Sequence, residues 1–168
     1  MITTCAGCYK TFKDLYPKHS QLDMEILHIV EYLEKLIVAG KLTFQKAYPM
    51  KVVYHDPCDL GRHMNIYEPP RKILQAIPGI QLLEFKENRN LAKCCGGGGG
   101  LKAFDINLSG DIAYSKAAEA IDLGAEVVLS ACPTCKSNFQ QAAAKLRKER
   151  KGQLKVMDIT ELVGEAIA

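Results

Sequence analysis

No run of apolar residues in this chain is long enough to cross a membrane. The most apolar helical stretch, Ile26–Ala39, is interrupted by Glu31, Glu34 and Lys35. The first residues, MITTCAGCYK, have neither the basic start nor the apolar core of a secretory signal. A strong charge bias is missing too. Lys and Arg total 22 against 19 Asp and Glu, a net +3, so no polyanion is demanded and no nucleic-acid partner is expected. The densest basic run (Lys145, Arg147, Lys148, Arg150, Lys151) closes an expected helix, where cations complement the helix dipole and stay in water. These absences predict a cytoplasmic chain with no direct membrane insertion, reaching a membrane only through partners.

What the chain does have is sulfur and glycine: 7 cysteines and 13 glycines in 168 residues. Hydrophobic residues at 48% and charged residues at 24% are ordinary for a soluble core, and the length suits one α/β domain with a flanking segment. Cysteines this numerous, without a secretion signal, point to metal or redox chemistry rather than structural disulfides.

Short β-rich runs alternate with helical patterns. Strands are expected at Met24–Leu27, Lys51–His55, Ile80–Phe85, Glu126–Ser130 and Leu154–Met157. Helices are expected at His28–Ala39, Pro69–Ala76, Asp111–Leu123, Thr134–Lys148 and Ile159–Ile167. Such alternation predicts a Rossmann-like, mostly parallel sheet flanked by helices, with functional loops at the carboxyl ends of the strands. There is one candidate repeat. Thr3–Pro17 (TTCAGCYKTFKDLYP) parallels Leu129–Ala143 (LSACPTCKSNFQQAA), but no strand is expected before the first copy. Residues 1–50 therefore read as the tail of a preceding unit and residues 51–168 as a complete one.

Cys58 is followed after 35 residues by Cys94-Cys95, and after 36 more by Cys132 and Cys135 in a Cys-x-x-Cys pair. A vicinal disulfide at Cys94–Cys95 would need a strained ring. Structural zinc wants four ligands in one tetrahedron, and adjacent cysteines fit that poorly. A thioredoxin-like role for Cys132 and Cys135 leaves three cysteines unexplained. A polynuclear iron–sulfur site uses all five, because neighbouring thiolates bind different irons. The glycines after Cys95, with Gly96, Gly97 and Gly98 foremost, then supply backbone N–H groups to a negatively charged cluster.

The stretches YHDPCDLGRH (Tyr54–His63), YEPPRKIL (Tyr67–Leu74), IPG (Ile77–Gly79), CCGGGG and SACPTC (Ser130–Cys135) resemble the cysteine-rich CCG domain. That domain occurs in heterodisulfide reductase subunits and in the iron–sulfur subunits of glycolate and lactate oxidases. The resemblance implies an iron–sulfur redox module of a multi-subunit oxidoreductase. Its cofactor would be a 4Fe–4S cluster, non-cubane in the reductases, held by Cys58, Cys94, Cys95, Cys132 and Cys135. Cys5 and Cys8 match the end of a preceding motif and would form a partial second site. The cysteines missing from that motif would come from a further segment or a partner chain. The implied partners are flavoprotein or ferredoxin-like subunits. An electron-transfer subunit of a flavin-linked 2-hydroxy acid oxidase and a zinc-stabilised assembly domain are the alternative readings. One departure stands out: residue 59 is Asp where the family usually has His, a carboxylate that would disfavour a more negative cluster.

Around the cysteines, His55 and Asp56 are candidates for proton supply, or else for turn structure ahead of Pro57. Arg62 and His63 are candidates to meet an anion. Arg71 is expected to pair with Glu68 or Asp59, His28 to mark a helix boundary, and Tyr9 and Phe12 to pack in the core.

Overall fold

The structure, a computed structural model, describes residues 1–167. Six strands and seven α-helices follow one another as β1 (Ile2–Thr3), α1 (Ala6–Lys10), β2 (Leu27–His28), α2 (Ile29–Val38), β3 (Lys51–His55), α3 (Glu68–Ala76), β4 (Gln81–Glu84), α4 (Leu101–Phe104), α5 (Ile106–Asp122), β5 (Val127–Ser130), α6 (Pro133–Lys148), β6 (Lys155–Asp158) and α7 (Ile159–Ile167). The four longer strands form a parallel sheet in the order β4-β3-β5-β6. Val52, Val53, Tyr54 and His55 are all buried on β3, as are all four residues of β5. Such unbroken burial is what a parallel strand covered on both faces produces.

Alternation along β3 sorts the helices. Tyr54 lies under the Arg71 guanidinium of α3, 5.3 Å from its ring centroid. His55 points the other way, its ring 5.0 Å from Phe139 of α6. On that second face α5 packs against α6 through small side chains: Ala113, Ala117 and Ala120 on one helix, Ala142 on the other, all buried. Replacing Ala117 by leucine is expected to overpack this seam and cost about 1–3 kcal/mol of stability in urea titrations.

The strand–helix alternation matches expectation in its order from β2 onward, with differences in detail. A strand does precede the first Cys-x-x-Cys: Ile2–Thr3 pairs in parallel with Leu27–His28, so the strand expected at Met24–Leu27 is shorter and later. Helix α5 begins at Ile106, where Asp105 caps the Leu108 N–H at 2.9 Å, rather than at Asp111. A one-turn helix, α4, precedes it. Its signal was hidden in sequence because the polyglycine run ahead of it gives no helical pattern.

The repeat extends further than the sequence pattern. Strand, Cys-x-x-Cys helix, parallel strand and second helix occur as β1-α1-β2-α2 and again as β5-α6-β6-α7. Thr3 pairs with His28 as Ser130 pairs with Asp158. Both second helices open with reciprocal caps. His28 Nδ1 accepts from the Val30 N–H and Glu31 accepts from the His28 N–H. Asp158 and Glu161 do the same, with Asp158 accepting from the Thr160 N–H.

Candidate metal centre

Three loops leave the carboxyl ends of β3, β4 and β5, and they carry the five cysteines. Cys58 lies three residues beyond β3. Cys132 lies two beyond β5 and caps α6 in extended conformation, with Pro133 at the first helical position. Cys135 follows on the first turn, facing inward. Cys95, Cys132 and Cys135 are buried, Cys58 is half-buried and Cys94 is exposed; all seven cysteines are free thiols.

The sulfurs act on one another in sequence. The thiols of Cys58 and then Cys95 solvate the Cys94 thiolate and bring it down to about 2. Contact with Cys94 pushes Cys58 up. Cys135 pulls Cys95 down, but Cys94 and burial outweigh it and leave Cys95 raised to about 11. Cys135 in turn lowers Cys132 to about 6, helped by backbone N–H groups of Cys135, Thr134 and Ala6 that face its sulfur. Cys58, Cys94, Cys95, Cys135 and Cys132 thus form one continuous run of interacting sulfurs. The ligand atoms of His55, Cys95 and Cys135 lie within 4.8 Å of one another.

The first two glycines after the cysteine pair direct their N–H groups at its sulfurs. Gly96 donates its N–H to Cys94 Sγ at 3.3 Å and Gly97 donates to Cys95 Sγ at 3.4 Å. At Gly96, φ is +77°, and a Cβ there would stand 2.7 Å from the Ser109 carbonyl, so no other residue fits. Gly98 is placed differently. Among the described residues it makes no N–H contact with a thiol, and its carbonyl instead accepts from Leu101 at 3.3 Å.

Asp56 is also placed differently. Rather than facing the sulfurs, its two oxygens accept from Arg71 at 2.8 and 2.9 Å, and Oδ2 also accepts the Arg89 N–H at 2.8 Å. Arg71 continues to Glu84 at 2.7 and 2.9 Å and is 2% exposed, so its partners are Asp56 and Glu84, not Glu68 or Asp59. Burial works against its charge, but Asp56 and Glu84 outweigh that and raise its pKa. The network pins the β3 loop to the segment that leads into Cys94. Arg62 does similar work, donating to the Asn90 and Ala92 carbonyls at 3.3 and 2.7 Å.

Sequence reasoning missed Asn138. Its amide donates to the Cys95 carbonyl at 2.7 Å and to the Ser109 carbonyl at 3.2 Å, while Ser109 Oγ donates to the Gly96 carbonyl at 2.7 Å. Asn138 stands three residues after Cys135, on the same helix face; that spacing was the available signal.

Cys5 and Cys8 lie close to this edge. Cys5 caps α1 and accepts from the Cys8 N–H at 3.4 Å. Lys10, on the same helix, binds Asp59 Oδ1 at 3.1 Å, and His63 Nε2 is 3.9 Å from the same oxygen. The unusual carboxylate therefore ties the first cysteine helix to the loop of Cys58, and an ammonium offsets its charge.

Both buried histidines are held neutral. Burial lowers His28 to about 4; burial, aided by the Lys116 charge, lowers His55 to about 3. In the unfolded chain they protonate near 6.5. Their neutral burial thus favours the fold fully above about pH 6.5 and progressively less as pH falls. The unfolding free energy of the apoprotein is expected to drop by about 1.4 kcal/mol per pH unit for each histidine below pH 6.5. His28→Asn, which keeps a capping side chain, should remove one histidine's share of that slope in urea titrations between pH 7 and 5.

Soft thiolates in this number exceed one zinc tetrahedron and fit an iron–sulfur cluster, with backbone N–H donors already aimed at two of the sulfurs. No helix among the described residues is long and apolar enough to cross a membrane. Comparison with known proteins supports an iron–sulfur cluster. The chain is 38% identical to a dihydromethanophenazine:CoB–CoM heterodisulfide reductase subunit from Methanosarcina acetivorans, over 99% of this chain and 40% of that relative. It is 38% identical to a fumarate reductase (CoM/CoB) subunit from Methanothermobacter marburgensis, over 99% of this chain and 32% of the relative. A probable iron-sulfur-binding oxidoreductase, FadF of Bacillus subtilis, is 34% identical over 99% of this chain and 23% of its own length. The chain thus spans 40% or less of these curated relatives. The family described as a cysteine-rich domain, CCG, matches residues 52–140, and the chain belongs to that family.

Proposed function

We propose that Cys58, Cys94, Cys95, Cys132 and Cys135 hold one 4Fe–4S cluster of the non-cubane kind and that the chain is the disulfide-reducing module of a multi-subunit oxidoreductase. The observation that carries this reading is the unbroken run of five interacting sulfurs at one sheet edge, with the Gly96 and Gly97 N–H groups directed at two of them. A bound cluster supplies one-electron steps. Reduction of a disulfide takes up two electrons and two protons, breaks the S–S bond and releases two thiols.

This chain's residues divide the remaining work. Cys94, the exposed member of the five, marks the side from which a substrate sulfur approaches. His55 is a neutral imidazole, 1% exposed, with neither ring nitrogen hydrogen-bonded; its N–H is free to serve the site that Cys95 and Cys135 line. Asp56 is a positioning residue through Arg71. The shared order of β1-α1-β2-α2 and β5-α6-β6-α7 supports reading residues 1–50 as part of a preceding repeat and 51–168 as a complete one. Cys5 and Cys8 then belong to a second site completed by another segment or a partner chain. Electrons arrive from a flavoprotein or ferredoxin-like subunit, and the setting is cytoplasmic. The second reading is an electron-transfer iron–sulfur subunit of a flavin-linked 2-hydroxy acid oxidase, which passes electrons without reducing a disulfide; similarity to an iron-sulfur-binding oxidoreductase is compatible with it.

Protein reconstituted anaerobically with iron and sulfide decides the cofactor. A brown protein with about four irons and four sulfides per chain is expected. A colourless protein that retains one zinc would overturn the reading. Turnover of a disulfide by the reduced, assembled complex separates the two functional readings.

A further inference from the structure

Lysine side chains normally bury their stems and keep the ammonium in water. Lys116 of α5 does the opposite. The residue is 3% exposed, and its Nζ is buried without a hydrogen-bond acceptor. The ammonium rests over the Phe85 ring, 3.7 Å from the centroid, and its closest carboxylate is Glu119 at 4.0 Å. Glu119 itself also accepts the Lys86 N–H at 3.2 Å. A buried cation this poorly compensated is costly and demands an explanation.

Position supplies one. In the β3–β4 register Tyr54 pairs with Glu84, so the next residues, His55 and Phe85, sit level at the carboxyl edge of neighbouring strands. Adjacent strands are about 4.8 Å apart. Both side chains face the α5–α6 layer, and His55 is the residue grouped with Cys95 and Cys135. Lys116 therefore places a positive charge one strand away from the thiolate site, on the protein side, against an aromatic ring. The other charged groups facing it are Glu87, Lys93 and Asp56, and Asp56 is neutralised by Arg71.

We propose that Lys116 is the buried countercharge of the cysteine site, a positioning residue whose cation stabilises the negative sulfur cluster and favours its reduction. The proposal rests on the iron–sulfur reading above. It explains why a weakly paired ammonium is retained in the core: its main partner is the charge of the site as a whole.

Two measurements on Lys116→Met test it. In the apoprotein, removing a poorly compensated buried charge should raise the urea midpoint; a lowered midpoint would show an ordinary structural lysine and overturn the proposal. In the reconstituted protein, spectroscopic redox titration should give a more negative midpoint potential for Lys116→Met and one close to wild type for Lys116→Arg. Glu119→Gln, which strips the nearest opposing charge while keeping an acceptor for the Lys86 N–H, should shift the potential the other way. Unchanged potentials in Lys116→Met and Glu119→Gln would also overturn it. If the wild-type chain takes up no cluster, the functional reading fails by itself, and the apoprotein midpoint still judges Lys116.

Discussion

Cys95→Ser is expected to abolish the visible absorption of the reconstituted protein and to leave iron at least tenfold below wild type. Cys95 is the middle of the sulfur run. It is buried, it touches Cys94 on one side and Cys135 on the other, and it receives the Gly97 N–H. A hydroxyl is a poor donor for iron and does not ionise near neutral pH, so the run breaks into Cys58–Cys94 and Cys132–Cys135. A more exposed cysteine is more forgiving. Cys94 is exposed, so Cys94→Ser should retain part of the iron while its spectrum changes. Iron, sulfide and absorbance on proteins reconstituted side by side provide the comparison, and full iron in Cys95→Ser would sink the five-ligand proposal.

The second large effect is structural. Arg71→Ala is expected to cost about 3–5 kcal/mol, because it leaves the buried Asp56 carboxylate without its fork. The guanidinium makes two bonds to Asp56 and two to Glu84 and also donates to the Tyr67 carbonyl at 2.7 Å. Glu84 is partly exposed and recovers some solvation, whereas Asp56 does not. Combining Arg71→Met with Asp56→Asn should therefore be far less damaging than Arg71→Ala alone, since no uncompensated charge is left. Urea midpoints of the single and double variants measure this coupling; additive losses would contradict it.

These two sites differ in how far the sequence disclosed them. The cysteine spacing, the strands at β3 and β5 and the helix α6 were legible because composition and caps are local signals: KVVYH carries a β-branched, aromatic centre, and a Cys-Pro at a strand end starts a helix. The Asp56–Arg71–Glu84 network joins residues 13 and 15 positions apart. Its partners are set by the β3–β4 register and not by anything near Arg71 in the chain. Glu68 and Asp59 were closer in sequence and lost for that reason. Strand β1 escaped notice because two residues carry no periodicity; only their pairing with Leu27–His28 reveals them. Polyglycine likewise tells nothing about which members matter, and the neighbours Ser109 and Asn138 make the distinction between Gly96, Gly97 and Gly98.

Those neighbours belong to different helices. Ser109 on α5 holds the Gly96 carbonyl and Asn138 on α6 holds the Cys95 carbonyl, while the two helices meet through alanines. The seam of small side chains is thus a ruler: its width fixes the gap between the two anchors, and through them the separation of the sulfurs. A bulky residue inserted at Ala117, remote from every cysteine in sequence, would lengthen that ruler and detune a site it never touches.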